Sequence, residues 1–153
     1  MTVASGTSPT HVSSSTVIEA PVEAVWALLK NFGNVSRWHP DVPESRIENG
    51  GTGQKPGDIR SIRLRNGTPI REKLLAISDE LKSFTYSVIE APLPIRNHSS
   101  TVSLSATSKN RTAITWTAEF IVDDGVDAAV IAAGVKAGVI ELGFEGLKAT
   151  AAR

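Results

Sequence analysis

Cysteine is absent from this 153-residue chain, which removes disulfides, thiolate zinc sites and cysteine nucleophiles together. An excess of charge is absent too. Its 16 Lys and Arg balance 16 Asp and Glu, so no broad field draws the chain to nucleic acid or to an anionic membrane. No window approaches the roughly 18 apolar residues of a membrane span. The opening Met1–Thr10 has neither a basic leader nor an apolar stretch, so the expectation is a cytoplasmic protein with no nucleic-acid partner and no membrane insertion. The glycine-rich Gly50–Gly57 lacks Gly-Lys-Ser/Thr and leads into a strand, which makes it a hairpin turn and not a phosphate cradle. No Gly-x-Ser-x-Gly occurs. The scattered His11, His39 and His98, without cysteine, form no metal set, and neither metal nor cofactor is expected.

What is present follows an α+β plan. Residues 1–9 are small and polar and read as a disordered tail, with 10–153 as one domain. His11–Ile18, rich in Ser, Thr and Val, reads as a strand. Pro21 opens a helix in which Val22, Val25, Trp26, Leu28 and Leu29 keep helical spacing, and Asn34–Trp38 makes a second short helix before Pro40. Strand patterns then fill Glu44–Asn49, Asp58–Arg65, Ile70–Ala76, Ser83–Glu90, the segment phased by Ser100, Val102, Leu104 and Ala106, and Thr112–Val122. From Val126 to Ala149 the period becomes helical, with Asp123 or Asp124 as the cap. Asp127, Glu141, Glu145 and Lys148 fall on one side of that helix. Ala129, Ala132, Val139, Ile140, Gly143 and Leu147 fall on the other, where small residues suit a close approach to strands or room for a ligand.

Two charges break the strand alternation. Arg60 shares its parity with Ile62 and Leu64, and Glu72 shares its parity with Ile70, Leu74 and Ala76. Side chains two apart on a strand face the same way, so both charges are candidates for the inner face. An ion buried there costs several kcal/mol unless it is paired or reaches water, which points to a wet or ligand-filled cavity. With a loop of Asn66-Gly67-Thr68, Ile62 stands opposite Glu72, and Arg60 and Glu72 are diagonal neighbours on one face. Either the pair is structural, at the water-exposed end of a bent strand, or it is chemical. In the second case Glu72 moves a proton and Arg60 holds a substrate oxygen.

Other residues join this inner face by parity. Phe84, Tyr86 and Trp116 are aromatic candidates for the pocket wall, with the Tyr86 hydroxyl as a polar handle. His98 shares the parity of Ser100, Val102 and Leu104, while Asn97 can point either way if the preceding Pro-rich bend carries a bulge. Trp38 sits where the second short helix covers a cavity mouth, Ile140 lies on the apolar side of the last helix, and His39 is expected to be exposed. Lys136 falls among the apolar positions of that helix by the 3.6 period.

The order of elements resembles the START-like, helix-grip superfamily (SRPBCC), and within it the polyketide cyclase/dehydrase group. The resemblance rests on "APVEAVWALLKNFGNVSRWHPDV", "GDIRSIRL", "REKLLAISDELKSFTYSVIEAPLPIRNH", "ITWTAEF" and the closing helix. It implies a seven-stranded curved antiparallel sheet wrapped around a long C-terminal helix, two short helices after the first strand, and a hydrophobic cavity between sheet and helix. The same blocks are similar to plant lachrymatory-factor synthases, whose catalytic arginine in "G-x-x-R" and glutamate in "E-[RK]-L-L" match Arg60 of "GDIR" and Glu72 of "EKLL". The resemblance implies Glu72 and Arg60 as catalytic residues. Trp38, Phe84, Tyr86, His98, Trp116, Leu104 and Ile140 are the candidate ligand contacts. The expected partner is a hydrophobic small molecule, handled by a cofactor-independent cyclase, dehydratase or isomerase, or by a non-catalytic carrier or sensor. Monomer and homodimer both stand open.

Overall fold

A computed structural model describes residues 8–152. The tail expected over residues 1–9 falls, for 1–7, outside the described residues. The chain runs β1 (Thr10–Ile18), α1 (Val22–Leu29), a 3-10 segment (Phe32–Arg37), β2 (Glu44–Ile47), a 3-10 turn (Glu48–Gly50), β3 (Ile59–Arg63), β4 (Pro69–Ser78), β5 (Ser83–Glu90), β6 (Ile95–Ser108) and β7 (Arg111–Val122). It closes with α2 (Ala128–Gly134), a π-helical stretch (Val135–Glu141) and α3 (Leu142–Ala151). The strands form a seven-stranded antiparallel sheet in the order β1-β7-β6-β5-β4-β3-β2. The sheet is curved and open, and the final helix of 24 residues packs on it, in the helix-grip arrangement.

The core follows the alternation. On β7, Ile114, Trp116, Ala118, Phe120 and Val122 are buried one after another, each two residues on. On β5, Phe84 and Tyr86 face the same interior, where they stack with ring centroids 5.9 Å apart and meet Phe32 from the 3-10 segment. Trp26 of α1 closes this cluster against Phe84, and its indole N–H donates to Asp79 Oδ1 at 2.8 Å. A buried aromatic thereby keeps its polar edge satisfied.

Several local expectations are corrected. The β3–β4 loop is Arg65–Gly67, closed by Leu64 N–H donating to the Thr68 carbonyl and Gly67 N–H to the Leu64 carbonyl, each at 2.9 Å. Gly67 holds a φ of 91°, which glycine adopts without strain. The register therefore sets Arg60 directly opposite Glu72 and Ile62 opposite Ile70, in place of the diagonal arrangement. A register shift between Leu74 and Ala76 turns Ala76 outward and brings Ile77 opposite Phe84. The final helix is capped by Asp127, whose side chain accepts from Ala129 N–H at 2.9 Å, not by Asp123 or Asp124. The strand expected over Glu44–Asn49 stops at Ile47, where the chain turns with Asn49 at a φ of 57°.

Candidate functional site

The site begins with two adjacent strands whose pairing puts opposite charges face to face on the inner surface. Arg60 and Glu72 are 5% and 7% exposed, so the pair is withdrawn from bulk water. Arg60 Nε and Nη2 both stand 2.7 Å from the same carboxylate oxygen, Glu72 Oε1, while Oε2 takes part in neither contact. Arg60 Nη1 donates to the Phe32 carbonyl at 3.0 Å. The guanidinium carbon lies 3.9 Å from the Phe32 ring centroid and 4.9 Å from that of Tyr86. Charge-assisted hydrogen bonds and two aromatic faces together hold the cation in one orientation.

These groups sit in the wall of a pocket of about 340 Å³. On the sheet side, Arg60, Glu72, Tyr86 and Trp116 share the lining with apolar Ile62 and Ile70. On the helix side it is lined by Val130, Ile131, Gly134, Val135, Gly138 and Val139, and near the β5–β6 connection by Leu93, Pro94 and Ile95. With His39 and Asp41 from the loop before β2, the ionisable groups are few on a largely apolar surface, the pattern of small-molecule sites.

His39 is the largest departure from expectation. It is buried and lines the pocket instead of standing exposed. Its Nε2 donates to the Val139 carbonyl at 2.9 Å, and its Nδ1 accepts from the Asp41 N–H at 3.2 Å. Burial lowers its pKa, with the Val139 carbonyl opposing that shift. Nothing in the local sequence separates this histidine from a surface one, because its position depends on the distant helix that packs over it.

Tyr86 and Trp116, among the sequence candidates, do line the pocket. Trp38, Phe84, His98, Leu104 and Ile140 are buried but lie outside the lining. Phe84 belongs to the cluster beneath α1, and Trp38 packs edge-on against Trp116 with centroids 6.2 Å apart. His98 stands behind Tyr86, with ring centroids 5.7 Å apart. A register shift between Arg96 and Ser99, with Asn97 at a φ of 54°, leaves Asn97 exposed and turns His98 inward. Lys136 is exposed and does not reach the pocket. Sequence reasoning missed the helix-side wall of Val130, Ile131, Gly134 and Val135. The π-helical stretch adds a residue per turn, so one 3.6 period cannot phase both ends of the helix.

Among the described residues, no group of three or more His, Asp or Glu is placed to hold a metal ion. No helix among them is long and apolar enough to cross a membrane.

A family model described as polyketide cyclase/dehydrase and lipid transport matches residues 9–152. Among solved structures, the protein XoxI from Bacillus cereus is 26% identical with a TM-score of 0.82, covering 94% of this chain and 96% of that one. An uncharacterised protein from Bacillus thuringiensis is 28% identical with a TM-score of 0.76, covering 94% and 97%. Norcoclaurine synthase from Thalictrum flavum, solved with dopamine and hydroxybenzaldehyde, is 16% identical with a TM-score of 0.73 over 93% and 86%, a likeness of fold.

Proposed function

Since the chain belongs to the polyketide cyclase/dehydrase and lipid transport family, we propose that it binds a mostly apolar small molecule between its sheet and final helix and rearranges it by proton transfer. The observation that carries this reading is a buried, aromatic-braced Arg60–Glu72 pair opening on a largely apolar pocket of about 340 Å³. Glu72 is the proton acceptor and donor. Arg60 fixes one oxygen of that carboxylate and, with five N–H groups, keeps donors for negative charge developing on a substrate oxygen. Cyclisation, dehydration and isomerisation each need those two tasks.

A carrier or sensor reading draws on the same contacts. Arg60 already meets Glu72 and the Phe32 carbonyl, so the pair is also suited to orienting a polar group of a ligand that leaves unchanged. The two readings part at Glu72→Gln. Native mass spectrometry of protein purified from its own host identifies the bound molecule, which then serves as substrate. For the enzyme, the substitution abolishes turnover and leaves affinity within about tenfold, or roughly 1.4 kcal/mol. Wild-type protein that returns the molecule unaltered, with the substitution changing affinity alone, rejects the catalytic reading in favour of the carrier.

A further inference from the structure

Besides the Tyr86 phenol, the ionisable side chains that line the pocket are His39, Asp41, Arg60 and Glu72. Their charges do not cancel. Arg60 and Glu72 neutralise each other, with Nε and Nη2 of the guanidinium each 2.7 Å from Glu72 Oε1. His39 is held neutral by its own hydrogen bonds. The Asp41 amide N–H can only donate, so His39 Nδ1 accepts at 3.2 Å and carries no hydrogen. The Val139 carbonyl can only accept, so the single hydrogen of the ring sits on Nε2, 2.9 Å away. That leaves Asp41.

The Asp41 carboxylate is half-buried and, among the described residues, makes neither a hydrogen bond nor an ion pair. Only its backbone is engaged, the N–H with His39 and the carbonyl with the Arg65 N–H. Arg65, the basic residue that this contact brings alongside, turns its side chain elsewhere, with Nε donating to the Pro40 carbonyl at 2.7 Å. Lys136, on the final helix, is exposed and outside the lining. The pocket therefore carries one uncompensated negative charge on a largely apolar surface. A carboxylate partly withdrawn from water gives up hydration and, without a cation, gains nothing in return. A cation brought in by the ligand supplies what is missing. An anionic ligand would meet both Asp41 and Glu72, with Arg60 alone to offset them.

We infer that the ligand carries a protonated amine on its apolar frame, and that Asp41 pairs with this ammonium group and so selects cationic ligands over neutral and anionic ones of the same shape. This rests on the reading of the pocket as a small-molecule site, and it names the class of molecule: an amine on an aryl or alicyclic frame. The two carboxylates then divide the work. Asp41 anchors the ammonium group, while Glu72, steadied by Arg60, is left for the proton transfer proposed above.

Three naphthalenes of similar shape and different charge test the inference by calorimetry near neutral pH and at low salt. They are 2-(aminomethyl)naphthalene as the cation, 2-(hydroxymethyl)naphthalene as the neutral form and 2-naphthoate as the anion. The wild-type protein should bind the amine about tenfold more tightly than the alcohol, and the carboxylate most weakly. Added salt should narrow the margin. Asp41→Asn should bring amine and alcohol to within about twofold of each other. It should leave alcohol affinity and the thermal midpoint unchanged, because no side-chain partner in the fold is lost. Asp41→Glu, which keeps the charge, should retain a preference for the amine. Equal binding of amine and alcohol by wild type, tighter binding of the carboxylate, an amine preference that survives Asp41→Asn, or loss of alcohol binding in that variant overturns the role of Asp41 and leaves the pocket reading standing. Binding of none of the three overturns both.

Discussion

The final helix places the same residue type in two opposite settings. Around Gly143 and Gly146 there is no room. A Cβ at Gly143 would lie 2.8 Å from Trp116 and 3.1 Å from His39, and one at Gly146 would overlap the Trp38 carbonyl. Around Gly134 and Gly138, nothing lies within 4 Å of the same added atom. In α3 glycine is a packing device that lets the helix backbone press on Trp38–Pro40. In α2 and the π-helical stretch it lines the pocket and leaves space open. One end of the helix anchors the fold, and the other end shapes what the fold encloses.

The sharpest way to break this comparison is to add one methyl group at each position. Gly146→Ala should destabilise the protein by about 3 kcal/mol or more, because the obstacle is backbone. Gly143→Ala should cost about 1–2 kcal/mol, because the Trp116 and His39 side chains can move. Urea unfolding measures both, and near-neutral behaviour of Gly146→Ala would refute the anchoring role.

A smaller effect of opposite sign is expected at the other end. Gly134→Ala and Gly138→Ala should each stabilise by about 0.5–1 kcal/mol through lower unfolded-state entropy and better helix propensity. Each should also weaken binding of a ligand that fills the pocket, as read by calorimetry. Destabilisation by either substitution would mean that this half of the helix is as tightly packed as α3.

The mildest effect should come from pH. His39 joins the loop before β2 to the Val139 carbonyl, within reach of Asp41, Arg60 and Glu72. Burial lowers its folded-state pKa below the ordinary value of 6.5, so near that pH the unfolded chain binds more protons than the folded one. This contribution to stability is full above about pH 6.5 and falls as the pH drops toward the folded value. Hydrogen exchange should therefore accelerate over Val135–Glu141 before Leu142–Ala151 on acidification. Equal loss of protection along the helix would remove His39 from that role.

Much of the fold is legible in the alternation of residues. Arg60 and Glu72 are assignable to one inner face because a period of two leaves each only one companion set. Tyr86 and Trp116 follow by the same rule. The contact between the charges is less legible. Direct opposition in place of a diagonal depends on whether the turn comprises Arg65–Gly67 or Asn66–Thr68, a shift of one residue that Asn-Gly alone does not determine. Phe84 and Leu104 obey the parity rule and still miss the pocket, since facing inward does not say which part of the interior a side chain reaches.

Local periodicity by itself determined the α+β plan of strands followed by a C-terminal helix and the inward pair of opposite charges, while the curved seven-stranded sheet was implied by the family resemblance. Tertiary structure alone decided that His39 is buried, that the π-helical stretch rephases the helix so that Val130, Ile131, Gly134, Val135, Gly138 and Val139 line the pocket, and that His98 is held between Val88 and Ser100. The reason is physical. Side-chain direction on a strand is set by near neighbours along the chain, whereas burial, helix phase and hydrogen-bond polarity are set by whatever the completed fold brings alongside.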